Sequence, residues 1–124
     1  MEIVEKKSKG PLYDKSFDFA LQVVKLAKHL QEEQKEYVLS KQVLRSGTAI
    51  GALVREAEHA ESRADFIHKL SIALKEANET VYWLDLLHHA EYINQSAHKS
   101  IITDSIEVLK LLISIVKTSK KNKK

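Results

Sequence analysis

Residues 65–87 read DFIHKLSIALKEANETVYWLDLL, with no Gly or Pro to interrupt them. Phe66, Leu70, Ala73, Ala77, Thr80, Leu84 and Leu87 follow one another at alternating steps of four and three. That spacing keeps one side of an α-helix turned toward a partner. Ile67, Leu74 and Val81 recur every seven residues and form a second seam beside the first. A helix with two adjoining apolar seams needs neighbours on two sides, as an inner member of an antiparallel bundle has. Ser62, three residues before Asp65, reads as a capping box in which Asp replaces the usual Glu or Gln. The stretch therefore predicts that the remaining segments are helices packed against it.

The rest of the chain supplies three such segments. The first spans about residues 14–33, with Phe17, Ala20, Leu21 and Val24 as its apolar stripe and Val23, Leu26 and Leu30 widening it. The second spans about residues 37–59, with a core face of Leu39, Val43, Ile50, Leu53, Val54 and Ala57. Its opposite face carries Lys41, Arg45 and Arg55. Gly47 and Gly51 lie inside this helix, where each costs about 1 kcal/mol relative to Ala. Close approach of another helix would offset that cost. The short link at residues 60–62 makes the second and third helices antiparallel. Asn94 or Ser96 caps the fourth helix, whose expected core face is Ile102, Ile106, Leu109, Leu112 and Val116. The expected fold is all-α, an antiparallel up-and-down four-helix bundle over residues 14–117. An arm at residues 1–13 and a disordered basic tail at residues 118–124 flank it.

Charge is unevenly spread. The formal net charge is +3. Lys117, Lys120, Lys121, Lys123 and Lys124 more than account for it, which leaves residues 1–116 weakly acidic. A basic end of this kind suits a polyanion, or simply keeps the chain in solution. There is no Cys, so thiolate and disulfide chemistry are excluded and the cytoplasm is the expected compartment. No apolar run approaches the roughly 20 residues a membrane span requires.

Catalytic patterns are weak. Glu56 with His59, Asp65 with His68 and Asp85 with His88 each have the Asp/Glu-x-x-His spacing of di-metal bundles. However, Glu56 and His59 fall opposite the core face, and the first helix lacks a mid-helix Glu. Neither a phosphate-cradling Gly loop nor a nucleophile–base pattern is present. The chain is expected to be no enzyme and to need no cofactor or metal. Tyr82 and Trp83 have the chemistry to stack bases, but Trp83 sits at the edge of the core stripe and fits helix packing better. Glu79 is expected to pair with Arg45 or Lys41 across the second and third helices.

The block LSKQVLRSGTAIGA at residues 39–52, followed by Glu56-Ala57, Ser16-Phe17-Asp18 and residues 65–87, resembles the bacterial four-helix-bundle family encoded within intervening sequences of 23S ribosomal RNA genes. Two positions depart from the family pattern: Leu53 stands where Asn is usual, and Arg55 where a small residue is usual. The resemblance implies an up-and-down bundle assembled into a ring, with a pentamer favoured. It is similar also to accessory proteins of diversity-generating retroelements, which bind nucleic acid and a reverse transcriptase.

Two expectations follow. Lys41, Arg45, Arg55, Lys117, Lys120, Lys121, Lys123 and Lys124 are candidate contacts to nucleic acid, structured RNA foremost. Val108, Leu111 and Ile115, surplus to the expected core face of the fourth helix, join Leu44, Gly47 and Gly51 as candidates for a homo-oligomer interface. The competing class is a protein–protein scaffold that does not touch nucleic acid.

Overall fold

The computed structural model describes residues 9–122. Four helices follow in order: α1 (Pro11–Glu33), α2 (Leu39–Glu58), α3 (Arg63–His89) and α4 (Gln95–Lys121). Among the described residues there is no strand, and no helix is long and apolar enough to cross a membrane. Each helix packs on the next in sequence, and α4 closes the ring of four against α1 along the sparsest seam.

The helix ends follow from local chemistry. Pro11 occupies the first turn of α1, where its missing N–H costs nothing. Glu36 N–H donates to Leu30 O at 2.9 Å while Lys35 takes a φ of 56°, the left-handed stop usually filled by Gly. The Glu36 carboxylate then accepts from the N–H groups of Val38, Leu39 and Ser40 at 3.1, 2.9 and 2.7 Å, which opens α2. Ser62 Oγ accepts from Asp65 N–H at 3.0 Å, and the Asp65 carboxylate reaches back to Glu61 N–H at 3.2 Å. Asn94 Oδ1 caps α4 through Ala97 N–H at 2.8 Å.

The stripe read on α3 is the one that is buried. Leu70, Ala73, Ala77, Thr80, Leu84 and Leu87 lie in the core, with Ile67 alongside. Phe66 instead lies half-buried at the rim of the core. On α2, Val43, Ile50, Val54 and Ala57 are buried as expected, whereas Leu39 and Leu53 are half-buried.

Two other faces are turned relative to expectation. On α1 the core residues are Leu12, Ser16, Phe19, Val23, Ala27 and Leu30, while Leu21 and Val24 are 47% and 46% exposed. On α4 the buried set is Ile101, Ser105, Val108, Leu112 and Val116, so Ile102, Ile106 and Leu109 sit at its edge. In both helices apolar residues cover more than one side, and small polar residues (Ser16, Ser105) hold core positions that a hydrophobic pattern passes over.

Helix boundaries differ as well. Residues 11–13, expected in the arm, belong to α1, and α4 carries residues 118–121 as helix rather than as tail.

Candidate nucleic-acid interface

The cations expected to line α2 do not form one surface. Arg45 turns to α3, where Nη1 meets Glu76 Oε1 at 3.1 Å and Nη2 pairs with Glu79. Glu79 accepts in addition from Trp83 Nε1 at 2.8 Å, so the expected Arg45–Glu79 pair sits inside a small α2–α3 clasp that includes the indole. Two carboxylates leave Arg45 poorly suited to a phosphate. Arg55 turns the other way, toward α1, with its guanidinium 5.0 Å from the Tyr13 ring centre and 5.3 Å from that of Phe17. Lys41 is exposed in the first turn of α2, about 21 Å along the axis from Arg55.

The basic end of α4 is better suited. Lys110, Lys117, Lys120 and Lys121 are exposed, and residues 109–122 contain no acidic residue. At the first turn of α3, Arg63 donates through Nη2 to Ser119 O at 3.3 Å, which brings a further cation to this end. The lysines of the last turn also face the negative end of the helix dipole, which favours holding positive charge there without any ligand. Lys123 and Lys124 lie outside the described residues.

Neighbouring carboxylates are engaged elsewhere. Glu58 pairs with Lys9 at 3.5 Å, and Glu56 with Lys69 at 3.1 Å. The Glu56 hydrogen bond and charge hold the Lys69 ammonium above its ordinary pKa. The three Asp/Glu-x-x-His pairs are likewise dispersed. Glu56 binds Lys69, Asp65 caps α3, and Asp85 lies 2.9 Å from His98, whose ring stacks on His88 at 4.2 Å. Among the described residues, no three His, Cys, Asp or Glu side chains converge on a position for a metal.

Of the residues expected at a subunit interface, Gly47 and Val108 are buried within the bundle and the other four are half-buried. Val108 is buried in the core, so it presents nothing to an outside partner. Leu44, Leu111 and Ile115 are half-buried against that core. Gly47 and Gly51 do permit close approach, but the approaching helix is α1 of the same chain. A Cβ on Gly47 would stand 2.8 Å from both Val23 methyls, and one on Gly51 3.5 Å from Ser16 O. Among the described residues the exposed large apolar side chains are Leu21 and Val24 on α1, Tyr37 and Val38 just before α2, Tyr82 on α3 and Ile113 on α4. Assigning the first two to the core concealed this face in the sequence.

Two grooves remain. One of about 640 Å³ follows the α1–α4 seam and is lined by Leu26, His29, Tyr92, Ile93 and Ile101 among others. A second, of about 320 Å³, lies between α1 and α2 beneath Arg55.

With this geometry in place, comparison with known proteins is informative. The family model described as 23S rRNA-intervening sequence protein matches residues 9–114. A crystal structure of a protein of unknown function from the S23 ribosomal protein family of Bacteroides thetaiotaomicron is 63% identical. The match covers 86% of this chain and 99% of that one, with a TM-score of 0.85. No protein of curated function matches.

Proposed function

The chain belongs to the 23S rRNA-intervening sequence protein family, and from that premise we propose that it is a non-enzymatic, cytoplasmic, RNA-associated protein that works as a homo-oligomer. The observation that carries this reading is the acid-free basic end of α4, with Arg63 beside it. Lysines on a helix hold a defined spacing toward successive phosphates, whereas a flexible tail loses entropy on binding. A closed ring, with five subunits favoured, repeats this patch and raises avidity above that of a single chain. Leu21 and Val24, exposed on α1, offer one apolar surface to such an assembly.

A mobility-shift titration of the full chain with a structured RNA at low salt tests the reading. A saturable shift that weakens steeply with added salt is expected. Absence of a shift at micromolar protein would overturn it. A scaffold role is the second reading, favoured by the groove along the α1–α4 seam. It predicts capture of a protein partner that survives nuclease treatment.

A further inference from the structure

We propose that the cleft between α1 and α2 is a stacking site for one unpaired nucleobase of a single-stranded nucleic acid, with Arg55 receiving the adjoining phosphate. This rests on the RNA-associated reading and adds to it a strand class and a place. Tyr13 and Phe17 are one helical turn apart on α1, half-buried along the side that lines the α1–α2 cleft. The Arg55 guanidinium lies over both rings, and Lys9 Nζ lies 5.5 Å from the Tyr13 centre.

The facing wall of α2 is built from Thr48, Gly51 and Ala52, small residues that leave an open volume of about 320 Å³. Large side chains at those positions would close it. Among the described residues Arg55 forms no ion pair, unlike Arg45, so its charge is not already matched by a carboxylate. Aromatic faces interleaved with cations bind single strands in a sequence-tolerant way, because every base has a π-face and every nucleotide a phosphate. Duplex RNA keeps its bases stacked within the helix and offers only backbone to such a cleft.

The test is fluorescence anisotropy with two labelled probes, a single-stranded RNA of roughly a dozen nucleotides and a blunt-ended RNA duplex of the same length. The proteins are the full chain and its Phe17→Leu and Arg55→Gln variants. Phe17→Leu keeps an apolar side chain but removes the π-face. It is expected to weaken single-strand binding about tenfold while leaving duplex binding unchanged. Arg55→Gln changes an exposed side chain and therefore reports even if Phe17→Leu lowers stability. A several-fold loss confined to the single strand is expected. If both variants bind the single strand like the parent, or lose both probes equally, the stacking site is wrong while RNA association stands. If the parent binds neither probe, RNA association and the stacking site both fail.

Discussion

Replacing Glu36 tests the idea that one carboxylate organises the α1–α2 turn. Its oxygens accept three successive backbone N–H groups at the start of α2, and its own C=O accepts from the Ser40 hydroxyl at 2.8 Å. The residue is only 9% exposed. Burial by itself pushes this carboxyl up, but the N–H groups of Leu39, Ser40 and Val38, with the Ser40 hydroxyl, outweigh it and hold the pKa below 4.5. A folded-state pKa below the unfolded one stabilises the fold above the unfolded value. That contribution is lost as pH falls through the folded pKa.

Glu36→Gln keeps the shape but turns an NH₂ toward N–H donors. From the ordinary worth of a helix cap and of hydrogen bonds to a charged group, it should cost about 2 kcal/mol at neutral pH. For a domain of this size that is a fall in Tm of roughly 6–10 °C. Thermal unfolding followed by circular dichroism at pH 7 and pH 3 measures it. The gap between parent and variant should narrow at pH 3, below the pKa of the unfolded carboxyl, where the charge-linked part of the stability is being lost. A gap below about 0.5 kcal/mol at pH 7, or one independent of pH, would refute the cap.

Further outcomes follow from the packing. Gly47→Ala should destabilise by about 1–3 kcal/mol in denaturant unfolding, because its Cβ meets Val23 at 2.8 Å, whereas Gly51→Ala, whose Cβ would rest in ordinary contact 3.5 Å from Ser16 O, should be neutral or stabilise by up to about 1 kcal/mol. A double-mutant cycle on Arg45 and Glu79 should give a coupling of about 0.5–1 kcal/mol that shrinks in high salt, since the pair is partly exposed. Light scattering should show a multimer for the parent and a smaller mass for Leu21→Asp with Val24→Asp. Leu111→Asp should instead lower stability by about 2 kcal/mol, because Leu111 packs against the core.

The third helix was legible because its small residues decide its orientation. Ala73, Ala77 and Thr80 are flanked along one buried face by Leu70, Leu84 and Leu87, and Thr80 on it donates to Ser46 Oγ of α2 at 2.9 Å. Nothing comparable singles out a face on α1. Phe17, Leu21 and Val24 repeat as regularly as Phe19, Val23 and Leu30, and only the neighbours decide which set is buried. Ser105 misled in the same way on α4, since a hydroxyl buried without a hydrogen-bond partner is invisible to a hydrophobic pattern. The glycines of α2 did signal close approach, but spacing does not reveal which helix approaches. The Arg45–Glu79 pair was readable because antiparallel neighbours fix an approximate register. The Arg55 cleft was not, because it required Tyr13 to lie within α1 and both Tyr13 and Phe17 to turn toward Arg55 on α2.

The salt dependence of RNA affinity tests the basic end of α4 most directly. Affinity for one structured RNA would be measured across a range of salt concentrations for the parent and for the variant Lys117→Gln, Lys120→Gln, Lys121→Gln. If these lysines meet phosphates, log K against log salt should be shallower in the variant by roughly two units for three lost contacts. Parallel lines for the two proteins, with comparable affinities, would contradict the account.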